Sequence, residues 1–139
     1  MHGETVSDST RKRVDLLLAT TELTVTWSRY APGEPGPDPH VHREHTDSFF
    51  VLTGELHYRV GPDLEPLVLR PGEWLSVPPN VVHTFANNPD TESTFLNYHS
   101  PDGDFAAYMR GEREGFDSFD PPEDGGLPAV LATHVAVPQ

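Results

Sequence analysis

His40-Val41-His42-Arg43-Glu44-His45-Thr46-Asp47-Ser48-Phe49-Phe50-Val51-Leu52-Thr53-Gly54 places two histidines two residues apart, then a carboxylate, then an apolar run closed by glycine. Side chains alternate along a strand, so residues two apart share a face and the imidazoles of His40 and His42 converge where a loop enters a strand. Asp47 opens the next run and shares its face with Phe49 and Val51. Further on, Gly72, Pro78-Pro79-Asn80, His83 and Asn87 bring a third imidazole on a separate strand, with Phe85 on the same face as His83. Three histidines and one carboxylate make a site for one divalent first-row metal. The chain has no cysteine, so thiolate ligation is excluded. Fe, Mn, Ni, Co, Cu and Zn all accept imidazole and carboxylate, and the residues do not choose among them.

Those two stretches resemble the cupin superfamily, whose motifs are written G-x5-H-x-H-x(3,4)-E-x6-G and G-x5-P-x-G-x2-H-x3-N. His40-x-His42, four residues, Asp47, six residues and Gly54 reproduce the first spacing. Gly72, five residues, Pro78, Asn80, two residues, His83, three residues and Asn87 reproduce the second, with Glu55–Pro71 as a short linker. There are departures: Asp47 is one methylene shorter than the usual Glu, Glu34 stands for the opening Gly, and Asn80, which tolerates a left-handed turn, stands for the Gly of Pro-x-Gly. The resemblance implies an all-β fold, a single β-barrel of the jelly-roll or double-stranded β-helix type, with His40, His42, Asp47 and His83 as metal ligands. Small cupins with this pattern resemble quercetinase-like dioxygenases, in which the metal coordinates an enolate and steers oxygen to it. Asp47 then completes the coordination sphere or acts as general base on a substrate hydroxyl, a role suited to a carboxylate of raised pKa. Two alternatives stand beside it: a polyketide-type cyclase or isomerase using the metal without oxygen, and a non-catalytic binding module. Cupins commonly pair through the outer sheet, and the outward Phe50 and Leu52 lead to the expectation of a homodimer.

The rest of the chain fits a small closed sheet. Its 139 residues suit one domain, and 15 prolines, about twice the usual ~5 %, exclude long helices. Thr21–Tyr30 alternates, with Leu23, Val25 and Trp27 opposite Thr24, Thr26 and Ser28, and six further short runs between residues 48 and 99 are broken by Gly, Pro and Asn. One helix is expected at Asp104–Arg110, with Asp102 or Asp104 as N-cap and Gly111 as stop. The expected division is a flexible arm over 1–12, a barrel over 13–112, and an extended Pro/Asp/Gly-rich tail over 113–139. That tail either caps the barrel mouth, bringing His134 near the site, or wraps a second subunit. Phe49, Val51 and Phe85 are expected to line an apolar pocket beside the metal, with Trp27 and Tyr58 adding to its wall, a cavity for a small hydrophobic or aromatic molecule. His45 and Glu44 are expected to be solvated in the turn between the ligands, and His57, His99 and His134 to be ordinary strand residues.

Charge bounds the partners. With 22 acidic and 9 basic residues and a formal charge of −13, the surface repels nucleic acid and anionic membranes and argues against anionic substrates. The lack of converging Arg or Lys counts against a phosphosugar. No apolar run approaches the ~20 residues of a membrane span, and the cytoplasm is the expected compartment.

Overall fold

Alternating runs interrupted by Gly and Pro form ten strands in the computed structural model, which describes residues 1–138. They are β1 (Glu4–Asp8), β2 (Lys12–Ala19), β3 (Thr24–Tyr30), β4 (Thr46–Thr53), β5 (Leu56–Val60), β6 (Glu65–Leu69), β7 (Glu73–Val77), β8 (His83–Asn87), β9 (Ser93–Ser100) and β10 (Thr133–Ala136). Seven form one sheet in the order β1-β2-β3-β9-β4-β7-β10, and three form a second in the order β6-β5-β8. Every pairing is antiparallel. Strands distant in sequence, such as β4 and β9, are neighbours, so the sheets close as a jelly-roll barrel rather than as a chain of hairpins. The inner faces meet in one core, with Phe49, Val51, Leu75, Val77 and Phe95 from the large sheet against Leu56, Tyr58, Val60, Leu69 and Phe85 from the small one.

Strand β3 is built in the opposite phase from the one its apolar residues favour. Thr24, Thr26, Ser28 and Tyr30 are buried, while Val25, Trp27 and Arg29 lie on the outer face. Trp27 is therefore outside the barrel and takes no part in the pocket wall. Two causes reverse the phase: the Thr24 hydroxyl bonds the Asp102 carboxylate inside the structure, and outside, Trp27 sits beside Leu96 of β9 in a continuous apolar row.

The N-terminal end of the chain also differs from expectation, as does the place of His134 in the tail. The expected loose arm contains β1, held by pairing with β2 and by the Glu4 carboxylate, which accepts from Arg110 at 2.8 Å. The tail packs in three places. Phe119 bridges Val41, Gly126 bridges Val81, and β10 pairs with the edge of β7. His134 donates to Glu73 Oε1 at 2.8 Å on that edge, away from the metal ligands; Phe116 and Asp117 reach the site in its place. The helix α1 (Phe105–Met109) forms where expected. The Asp102 carboxylate accepts from Ala106 N–H at 3.0 Å, and Gly111 at φ 78° ends the helix in a conformation that glycine adopts freely. Among the described residues no helix is long and apolar enough to cross a membrane.

Candidate metal centre

His40 and His83 lie in separate strands' approaches, but the backbone locks them together. His40 N–H donates to His83 O at 3.1 Å and His83 N–H to His40 O at 3.0 Å. Their rings sit 4.3 Å apart, and the His42 ring lies 4.8 Å from His40 and 5.0 Å from His83. Each imidazole has its Nδ1 on a backbone carbonyl: Asp38 at 2.7 Å for His40, Asp117 at 2.7 Å for His42 and Val81 at 3.1 Å for His83. Those bonds commit the Nδ1 hydrogens and leave each Nε2 with a lone pair, the tautomer a metal ligand requires. One ligand atom from each of His40, His42, Asp47 and His83 lies within 4.8 Å of the others, and all four residues are buried.

The short side chain of Asp47 reaches this group. Its Oδ2 is 3.1 Å from both His42 Nε2 and His83 Nε2. Two ligands at the ~2.1 Å typical of such bonds are separated by about 3.0 Å at right angles, so these contacts have the length of edges in a coordination polyhedron. With every Nδ1 hydrogen already used, the facing atoms are acceptors only, and a cation must lie among them. Of the three imidazoles, His42 is the one whose protonated form Asp47 favours. Burial disfavours its charge, but the hydrogen bond and charge of Asp47 outweigh burial and raise its pKa. His40 is pushed down to about 4 by burial and by the neighbouring His83 and His42. Burial also works against the Asp47 charge, yet the surrounding His99, His42 and His83 hold its carboxyl well below the usual range. The raised value expected for a general base is not what this environment produces. The four residues could thus hold a metal ion, and the donor set fits one.

A second line of groups runs away from Asp47. Its Oδ1 accepts from Asn97 Nδ2 at 2.6 Å, and the same amide donates to Ser48 O at 2.9 Å. This orientation turns Asn97 Oδ1 toward His99, which donates from Nε2 at 3.1 Å. His99 Nδ1 lies 2.9 Å from His45 Nε2, and His45 Nδ1 donates to Asp117 Oδ2 at 2.8 Å. Asp117 also accepts from Arg43 N–H and Glu44 N–H at 3.0 and 2.8 Å. Three contacts strung between two acceptors need three hydrogens, and two neutral imidazoles supply two, so the histidine pair is one proton short of a fully bonded chain. Burial keeps it so, lowering His45 and pushing His99 down to about 3. His45, expected in solvent, is fully buried instead. Gly103 at φ 61° permits that, since a Cβ there would stand 2.8 Å from His45 Nδ1. Glu44 is exposed as expected.

Beside the ligands opens a cavity of about 440 Å³. Phe49 and Phe85 line it as expected, whereas Val51 and Tyr58 belong to the core behind its wall and Trp27 to the outer surface. Residues not expected there complete the wall: Tyr30, Phe95, Asn97, His99, Phe105 and Phe116. For β9 a signal existed, since Phe95, Asn97 and His99 alternate along the strand facing Asp47 and Phe49. For Phe116 and Asp117, more than seventy residues from His42, none did. A wider depression of about 810 Å³ lies outside, between Arg43, Glu44, Arg113 and Glu114, and holds none of the four candidate ligands.

An antiparallel barrel that encloses three imidazoles, a carboxylate and an aromatic cavity defines a jelly roll built around a candidate metal centre. The family model described as Cupin domain matches residues 26–99, and the chain belongs to that family. Among solved structures it is similar to KdgF from Halomonas sp., at 20% identity and TM-score 0.61 over 70% of this chain and 84% of that one. It is also similar to an RmlC-like cupin from Shewanella frigidimarina NCIMB 400, at 27% identity and TM-score 0.60 over 71% and 84%. An oxalate oxidase aligns at 23% identity and TM-score 0.54 over 69% of this chain and 54% of that one. No curated protein matches the chain.

Proposed function

We propose that the protein is a metal-dependent dioxygenase of a small phenolic or enol-bearing aromatic compound, with one divalent transition metal held by His40, His42, Asp47 and His83. The observation that carries this reading is the acceptor-only cluster, its Nδ1 hydrogens all committed to carbonyls, beside a cavity walled by Phe49, Phe85 and Phe95. When bound, such an ion supplies Lewis-acid stabilisation of an enolate oxygen. The protein supplies the rest. His40, His42 and His83 are aimed before any ligand arrives, because their carbonyl partners belong to fixed backbone. Of the two roles open to Asp47, the ligand role suits a carboxylate held ionised, with Oδ1 on Asn97 and Oδ2 toward the imidazoles. The aromatic wall orients a planar ring and keeps water away from it.

The outer face of the large sheet supports a homodimer. Trp27, Leu96, Phe50, Trp74 and Val135 form one row across five strands by register.

The test of the activity is direct. Purified protein is expected to carry close to one divalent metal ion per chain by elemental analysis and to lose it in His83→Ala, with far-UV circular dichroism unchanged. The loaded protein is expected to consume oxygen with flavonol or catechol-type compounds. Turnover of substrate under nitrogen would replace the dioxygenase with the cyclase, and a chain that takes up no metal would remove both.

A further inference from the structure

The inner face of β3 presents an anomaly inside an aromatic cavity. Thr26, Ser28 and Tyr30 are 1%, 4% and 4% exposed, all three line the cavity, and their hydroxyls make no hydrogen bond with any described residue. Their neighbour Thr24, on the same face, has its hydroxyl on Asp102. Among the described residues the enclosed hydroxyl without a partner is that of Tyr58, so those of Thr26, Ser28 and Tyr30 open on the cavity and give whatever fills it a polar row to meet.

Lys12 stands at the end of that row. It pairs with Tyr30 across the β2–β3 ladder, its ammonium lies 5.2 Å from the Tyr30 ring centroid, and it lines the same cavity. In a chain with 22 acidic and 9 basic residues, it makes no ion pair with any described residue. Arg11 and Arg13, on either side, are paired with Glu34 and Asp15. Lys12 is therefore free to meet a negative charge that arrives with a ligand.

We infer that Lys12, with the Tyr30 and Ser28 hydroxyls, forms a second binding subsite in the cavity, which takes an anionic group, a carboxylate, on the part of the ligand away from the metal centre. The inference rests on the proposed function for what lies at the other end. Register fixes the spacing. Thr26 lies opposite Asn97, the residue that holds Asp47, and Tyr30 and Lys12 lie four strand residues further on, about 13 Å at the usual rise. A ligand that fills this span has an enolic or phenolic oxygen toward Asp47, a ring against Phe85 and Phe95, and a carboxylate at Lys12. The overall −13 charge does not forbid it, because repulsion from exposed carboxylates is screened beyond about 8–10 Å at physiological salt, while Lys12 makes direct contact. The expectation that charge counts against anionic substrates is reversed locally.

The probes are 3-(3,4-dihydroxyphenyl)propanoate and its methyl ester, titrated calorimetrically into zinc-loaded and metal-free protein. The acid is expected to bind at least about tenfold more tightly than the ester, as for a partly buried charge-assisted hydrogen bond. Lys12→Met, which keeps the apolar stem, is expected to abolish the difference while leaving ester affinity unchanged, and Lys12→Arg to retain it. Equal affinities, a difference that survives Lys12→Met, or no binding of the acid would overturn the subsite. Zinc is not redox-active, so the result does not depend on oxygen chemistry. A Lys12-dependent preference in both forms, with zinc without effect on affinity, would keep the subsite and remove the metal-centred reading.

Discussion

Tyr58 is fully buried, stacked on Phe85 at 5.1 Å and edge-on to Phe49 at 5.0 Å, yet its hydroxyl has no hydrogen-bond partner. Leaving such a group unpaired costs about 1–3 kcal/mol, while the ring supplies the packing. Tyr58→Phe is therefore expected to be neutral or to stabilise the fold by about 1 kcal/mol in urea denaturation; a loss of more than about 1 kcal/mol would show that the hydroxyl has a partner after all. The same scale explains which residues could be read in advance. His40, His42, Asp47 and His83 were legible because strand alternation and motif spacing are local properties. Trp27 was misplaced because alternation reveals two faces without saying which is inside, and the apolar face is the default choice for the interior. Here the interior face is polar, since it borders a cavity rather than solid core.

The segment after α1 decides the back of the site, and Asp117 is its fixed point. Its carbonyl sets His42, and its carboxylate caps the Arg43 and Glu44 amides and receives His45. Burial disfavours the Asp117 charge, but those three donors outweigh it and lower its pKa. Asp117→Asn is expected to cost about 1–3 kcal/mol at pH 7, the range for charge-assisted bonds, and to weaken metal affinity by loosening the segment whose main-chain carbonyl orients His42. The sign with pH follows from the lowered value. The stabilisation is present above the unfolded carboxyl value of about 3.9 and is lost as pH falls through the folded one. Wild-type and variant denaturation midpoints should therefore converge below about pH 4; a gap that stays constant down to pH 2 would remove the charge from the explanation. At this scale the short strands and the helix could be read from their punctuation. The pairing of Glu4–Asp8 with β2 could not, because a polar run acquires strand structure only from a neighbour that offers its edge.

Across the whole molecule, the row Trp27, Leu96, Phe50, Trp74 and Val135 leaves large side chains partly or fully exposed on one side of the barrel. Contiguous apolar surface of that kind marks an interface. Light scattering is expected to give twice the chain mass of 15.4 kDa, and Phe50→Glu to give the single-chain mass with its circular dichroism retained; a wild-type mass of one chain would end the dimer proposal. What the sequence by itself determined is the barrel class and the four candidate ligands, since turn residues, strand period and ligand spacing all act over a few residues. Only the tertiary structure decided the phase of β3, the burial of His45 and His99, the place of Phe116 and Asp117 behind His42, and the meeting of Lys12 with the cavity. Each of these depends on which distant strand or loop becomes a neighbour, and hydrogen bonds and buried area between segments far apart in the chain leave no periodic trace along it.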